Sequence, residues 1–217
     1  MPDTLYDLMS TQRAIRRLKP DPIPEDVLQR ILQAAAWAPS GGNQQPWRMI
    51  LVLDAERKAR LGELYRRRWG RFADGYRQRF ADAQPAVRAQ EERTLEAGDH
   101  LALHFGDCPV VFVVCFDPTQ MAITDTRLDR VSVVGGASIY PAVQNLLLAC
   151  RAEGIGCVLT TLLCLDEAEV KTLLDIPDGW YTAAAIPLGY PVQGGYGPVR
   201  RRGVAELFFR DAWKRPL

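Results

Sequence analysis

Val110-Val111-Phe112-Val113-Val114-Cys115-Phe116 is apolar at every position, and so is Met49-Ile50-Leu51-Val52-Leu53. A strand with one wetted face alternates apolar and polar residues, so an unbroken apolar run marks a strand covered on both faces. These two runs therefore predict a central, two-sided sheet between layers of helix. Val158-Leu159-Thr160-Thr161 and Tyr181-Thr182-Ala183-Ala184-Ala185-Ile186 read as two further strands. The covering helices can be found by their period. From Glu25 to Trp37, Val27, Leu28, Ile31, Leu32, Ala35 and Ala36 recur at helical spacing, with Pro24 suited to the first position and Pro39 to the stop. Residues 54–68 and 85–104 carry helical composition, separated by a stretch rich in arginine at 66, 67, 68 and 71. Ala137 to Ala152 is apolar nearly all round and predicts a buried helix ending at Gly154, and Asp166 to Leu174 predicts another.

No repeat, low-complexity tract or flexible linker divides the 217 residues, which read as a single domain spanning 1–217. With 47% apolar and 24% charged residues, wholesale disorder is excluded. A formal charge of +1 gives no global attraction to nucleic acid or anionic lipid, so neither is expected as a partner. No apolar stretch is long enough to span a bilayer and Met1-Pro2-Asp3-Thr4 does not start like a secretion signal, so a cytoplasmic location is expected. The five cysteines include no CxxC pair, and most of them read as buried thiols of a reducing compartment.

Several chemistries lack their motif. GxGxxG, GxxxxGK[ST] and GxSxG are all missing, and the two histidines, His100 and His104, have no third ligand at metal-site spacing. No metal is expected. Three features remain. Arg13 and Arg16 lie three apart and could turn their guanidiniums to one side, as a phosphate fork or as a solvated basic end. Ala38-Pro39-Ser40-Gly41-Gly42-Asn43-Gln44-Gln45-Pro46-Trp47 joins a helix to a strand through small residues, either letting backbone approach a flat heterocycle or making a plain turn. The helix from Gly135 to Ala149 starts with small residues that allow close packing of a ring or another helix.

In this order the segments resemble the FMN-dependent nitroreductase family, which includes iodotyrosine deiodinase and 5,6-dimethylbenzimidazole synthase. The likeness extends through Lys19-Pro20-Asp21-Pro22-Ile23-Pro24, Thr160-Thr161, Leu188-Gly189-Tyr190-Pro191 and Arg200-Arg201-Arg202. It implies an α+β fold, a three-layer α-β-α sandwich with a central mixed sheet, and a homodimer with domain-swapped C-terminal arms from the 194–217 tail. One FMN per site would lie at the subunit interface, and NAD(P)H would reduce it before a small planar acceptor takes the electrons.

Matched residue by residue, the resemblance assigns Gln12, Arg13, Ala14 and Arg16 to the phosphate end, with Arg200 and Arg201 arriving from the tail. The family pattern is Arg-Arg-Ser where this chain has Gln12-Arg13-Ala14, so one cation and one hydroxyl are lost, and Arg17 or Arg202 are candidates to compensate. Ser40, Gly41 and Asn43 match flavin contacts, the loop coming from the other subunit, with Gly42 toward the substrate. Thr160, Thr161 and Leu162 match the strand end whose backbone N–H meets flavin N5. No catalytic side chain is named. Residues 69–98 fall where relatives carry a lid, so Trp69, Phe72 and Tyr76 are substrate candidates, unless this is only a surface helical hairpin. The deiodinase clamp, a glutamate four residues before a tyrosine, is absent, since Leu61 and Phe72 precede Tyr65 and Tyr76. Two other readings stay open: the synthase branch, and a dimeric binding module that does not use flavin.

Overall fold

The computed structural model describes residues 4–217. In chain order it runs α1 (Leu5–Thr11), α2 (Glu25–Ala36), β1 (Trp47–Val52), α3 (Ala55–Arg79), α4 (Pro85–His104), β2 (Val110–Phe116), α5 (Tyr140–Ala152), β3 (Gly156–Cys157), α6 (Glu167–Leu173), β4 (Tyr181–Gly189) and α7 (Val204–Leu207). The apolar run at 110–116 is the middle of the sandwich. Val110, Phe112 and Val114 join Leu28 and Ile31 of α2 and Val143, Leu146 and Leu147 of α5 in one core. Val111, Val113 and Cys115 join Leu61, Leu64 and Tyr65 of α3 and Leu101 of α4 in the other. Successive side chains of a strand point to opposite faces, so one strand feeds both cores. Phe112 is fully buried, and truncating such a side chain to alanine costs about 3–5 kcal/mol. The α+β, three-layer expectation holds.

The sheet order is β1-β2-β4-β3. Trp47 pairs with Phe116 and Val52 with Val111; Val110 pairs with Leu188, Phe116 with Tyr181, and Cys157 with Leu188. Every pairing between these strands is antiparallel, so the mixed sheet is not found among the described residues. The connections explain why. The two helices α3 and α4 carry the chain away from the end of β1 and back again, so β2 must run opposite to it. An apolar run records burial on both faces and is silent about direction.

Other boundaries also moved. The strand expected at 158–161 begins earlier and is only Gly156–Cys157, with one further bridge between Thr160 and Ala185. The arginine-rich stretch is no connector, because α3 runs unbroken through it to Arg79. Asp54 starts that helix by accepting the Arg57 N–H at 2.8 Å. No helix among the described residues is long and apolar enough to cross a membrane.

Candidate cofactor site

The N-terminal arginines do not share a helix. α1 closes at Gln12, whose N–H donates to the Leu8 carbonyl at 2.9 Å, and residues 12–17 are not helical. Ile15 is buried and fixes this segment, its N–H donating to the Cys157 carbonyl of β3 at 2.9 Å. Ala14 is exposed, while Arg16 turns inward beside Tyr65. Burial, with Arg13 adding to it, lowers the Arg16 guanidinium from its ordinary value, against the pull of Tyr65. Among the described residues no carboxylate pairs with Arg13, Arg16, Arg200 or Arg201. A partly buried, uncompensated guanidinium is costly to a folded chain and marks a place for an anion.

The tail brings more positive charge to the same region. Arg13, Gln90, Pro198, Val199, Arg200 and Arg201 line one cleft of about 450 Å³. Arg200 and Arg201 are exposed, and one Arg201 Nη donates to the Arg200 carbonyl at 2.7 Å. Arg202 and Arg17 are exposed and do not line it. Head and tail arginines therefore converge within one chain. Gln90 of α4, which the sequence did not single out, forms the cleft's third side.

Tyr65 connects this cluster to the strand end. Burial pushes its phenol up to about 12, against the smaller pull of the Thr160 hydroxyl and Arg16, so it stays protonated at neutral pH. Thr160 is buried, exchanges two backbone hydrogen bonds with Ala185 at 2.9 and 2.8 Å, and accepts the Leu162 N–H on its hydroxyl at 3.3 Å. Thr161 is exposed, its carbonyl taken by the Cys164 N–H at 3.0 Å. His100 lies behind Arg16. Its ring stands 4.5 Å from that of His104, and burial first, then His104 and Arg17, keep it below the usual imidazole range.

The Ser40–Gln45 loop is elsewhere in the chain. Gly42, Asn43 and Gln45 have φ of 58°, 53° and 49°, a left-handed region that costs a non-glycine residue about 1–2 kcal/mol. Side chains hold it there: Ser40 Oγ accepts the Gln45 N–H at 2.9 Å, Ser138 Oγ accepts the Gly41 N–H at 3.1 Å, and Gln45 Nε2 donates to Asn43 Oδ1 at 3.1 Å. The Ser40 oxygen thus shapes the loop as an acceptor, which leaves its own O–H to donate. Gly41 meets Ser138 just before α5 begins, whereas Arg151 in the last turn of α5 bonds Thr11, next to the arginine segment. α5 has 13 residues, so roughly 20 Å of helix separates the loop from the cleft in one chain.

The expected lid divides in two. Trp69 is not available to a substrate: it is buried, its Nε1–H donates to Asp99 Oδ1 at 2.6 Å, and its ring covers Gly98 so closely that a Cβ there would lie 2.0 Å from Cζ2. Phe72 is 45% exposed and stacks on Tyr76 with ring centroids 5.6 Å apart. The Tyr76 hydroxyl donates to Glu91 of α4 at 3.0 Å, closing the hairpin on itself. Just before this stretch, Arg67 and Arg68 grip Asp166, each with a nitrogen 2.8 Å from a carboxylate oxygen. Burial pushes the Cys108 thiol up to about 12 and the Cys115 thiol up to about 11, which leaves both protonated and inert.

The nitroreductase family profile matches residues 9–190. The chain is 32% identical over 199 residues to 5,6-dimethylbenzimidazole synthase of Rhodospirillum rubrum, covering 87% of this chain and 82% of that one. It is 30% identical over 187 residues to an NADH dehydrogenase of Thermus thermophilus, covering 85% of each. Among solved structures, iodotyrosine deiodinase bound to FMN and 3-iodo-L-tyrosine superposes with a TM-score of 0.69 at 23% identity, over 97% of this chain and all of that one. The NADPH:FMN oxidoreductase of Vibrio harveyi superposes with a TM-score of 0.67 at 20% identity, over 96% of this chain and 77% of that one. The profile match, spanning all but the two ends, makes this chain a member of the nitroreductase family.

Proposed function

We propose that this chain is an FMN-dependent oxidoreductase that takes electrons from NAD(P)H and passes them, two at a time and in ping-pong order, to small planar acceptors such as nitroaromatics, quinones or enones. One observation carries the reading. Arg16 is drawn inward without a carboxylate partner among the described residues, and Arg13, Arg200 and Arg201 gather at a cleft beside it. A phosphate monoester suits such a group, because each guanidinium can offer two parallel N–H groups and the dianion has oxygens enough for several of them. The residues present therefore fit FMN, despite Gln12 and Ala14 in place of a cation and a hydroxyl.

When bound, the flavin supplies a two-electron carrier between nicotinamide and acceptor. This chain's residues hold and orient it. Arg13, Arg16, Arg200 and Arg201 take the phosphate, and the protonated Tyr65 keeps the Thr160–Leu162 strand end in place. Thr161 presents backbone toward the ring, a fixed dipole that needs no rearrangement during the reaction. No side chain is assigned as acid or base, since a reduced quinone or nitro group can take its proton from water. The Ser40–Asn43 loop lies a helix length from the phosphate cleft, which supports a site completed by the loop of a second copy.

The test is direct. Purified protein should be yellow, release FMN on denaturation, bleach with NADH or NADPH without oxygen, and regain colour when a quinone is added. Colourless protein that FMN cannot reconstitute would leave only a binding module. The likeness to the Rhodospirillum synthase favours one second reading, in which the flavin itself is consumed. Loss of flavin with formation of dimethylbenzimidazole under oxygen would decide for it.

A further inference from the structure

Head and tail of this chain are stitched together before either reaches the arginine cleft. The Val192 N–H donates to the Arg17 carbonyl at 3.0 Å, the Lys19 N–H to the Tyr190 carbonyl at 2.8 Å, and the Val199 N–H to the Ser10 carbonyl at 3.0 Å. Between Val192 and Val199 the tail turns at Gly194 and Gly195, with φ of 40° and 67°. A Cβ at Gly195 would lie 2.8 Å from Ile15 Cδ1, so only glycine lets the tail press this closely on the head. That turn places Tyr196 under the last turn of α5.

There Arg151 touches both chain ends. Its Nε donates to Thr11 Oγ1 at 3.0 Å, and its Cζ stands 4.4 Å from the centre of the Tyr196 ring. The Thr11 hydroxyl donates its own proton to the Asp7 carbonyl at 2.6 Å, which aims a lone pair at Arg151. The Tyr196 hydroxyl is buried and has no hydrogen-bond partner among the described residues, so its ring face is the part in use. Thr11 precedes Arg13 by two residues, and Tyr196 precedes Arg200 by four.

We propose that Arg151 is a positioning residue for the cofactor phosphate: it touches no ligand, but clamps the end of α1 at Thr11 to the tail at Tyr196 so that Arg13, Arg200 and Arg201 face one cleft. Like charges gathered without a carboxylate repel one another. Only the backbone can keep them together before the anion arrives, and Arg151 fixes the backbone on both sides. This inference rests on the cleft being the FMN phosphate site.

The experiment measures dissociation constants for FMN and for riboflavin, which lacks the phosphate, by flavin fluorescence quenching. Wild type should prefer FMN strongly. Arg151→Met should weaken FMN about tenfold while riboflavin changes less than about twofold, Tyr196→Leu should do the same from the other side of the clamp, and Arg151→Lys should recover part of the loss. Equal weakening of both flavins would mean a merely structural side chain, and no weakening of either in both variants would mean no clamp; each overturns the inference. Wild-type protein that binds no FMN, or binds riboflavin as tightly, removes the phosphate site itself and the clamp with it.

Discussion

Arg16 and Asp166 are opposite cases of a charge taken from water. Arg16 has no carboxylate partner among the described residues, so the apo protein carries its desolvation without return. Arg16→Met should therefore raise apo stability by up to about 1 kcal/mol while lowering FMN affinity tenfold or more, read from thermal melts with and without flavin. Asp166 has a side chain only 2% exposed, and Arg68 first, then Arg67, hold its carboxyl below the usual range. Above about pH 4 the folded and unfolded chains both carry it ionised, and the ion pairs contribute in full. As pH falls, the unfolded chain takes up the proton first, and the contribution disappears through the lower folded value. Wild type should thus lose melting temperature steeply below about pH 4, whereas Asp166→Asn starts lower and falls less. A variant with the wild-type slope would show that Asp166 does not set the acid limit.

The α3–α4 hairpin shows at element scale what packing decides and composition does not. Trp69 fits its place because Gly98 offers no side chain, and Tyr65 stacks on Phe105 at 4.6 Å deeper in the same core. Gly98→Ala would put a methyl inside the indole and should cost about 1–3 kcal/mol, seen as a lower urea midpoint. An unshifted midpoint would mean that the two helices slide apart freely. The sequence made the helices legible here but not their faces: Trp69, Phe72 and Tyr76 recur at helical spacing, which fits a core stripe as well as a lid. The glycine at 98 was the available signal, since a glycine inside a helix often marks close approach. The apolar runs revealed β1, β2 and the two helical layers for the opposite reason, because burial on both faces is written directly into them. Strand direction is written nowhere in them, and β3, short and opened by Gly156, has almost no pattern to read. Spacing singled out Arg13 and Arg16 but left a solvated basic end open, and Arg201 was legible only through family likeness. Tyr65, His100 and Arg151 were not, since a tyrosine, a histidine and one arginine among many are ordinary until folding makes them neighbours.

The whole molecule leaves much apolar surface in water. In the tail, Val204, Leu207, Phe208 and Trp213 are 64%, 51%, 57% and 82% exposed, and Leu5, Tyr6 and Met9 of α1 are exposed as well. β1 pairs only with β2, so its outer edge is open among the described residues. Such patches and edges call for cover. On the proposal that a second copy covers these surfaces, a chain cut after Arg202 should sediment as a monomer and retain little FMN, while a truncated chain that stays paired would show that the tail is not the arm. The 13-residue helix α5 that holds the loop and the arginine cleft apart has a further effect. With the site completed by a second copy, as proposed, pigment retention becomes a matter of mass action: diluting the holoprotein should bleed out cofactor together with subunit separation, at a threshold that excess riboflavin phosphate pushes to lower protein concentrations.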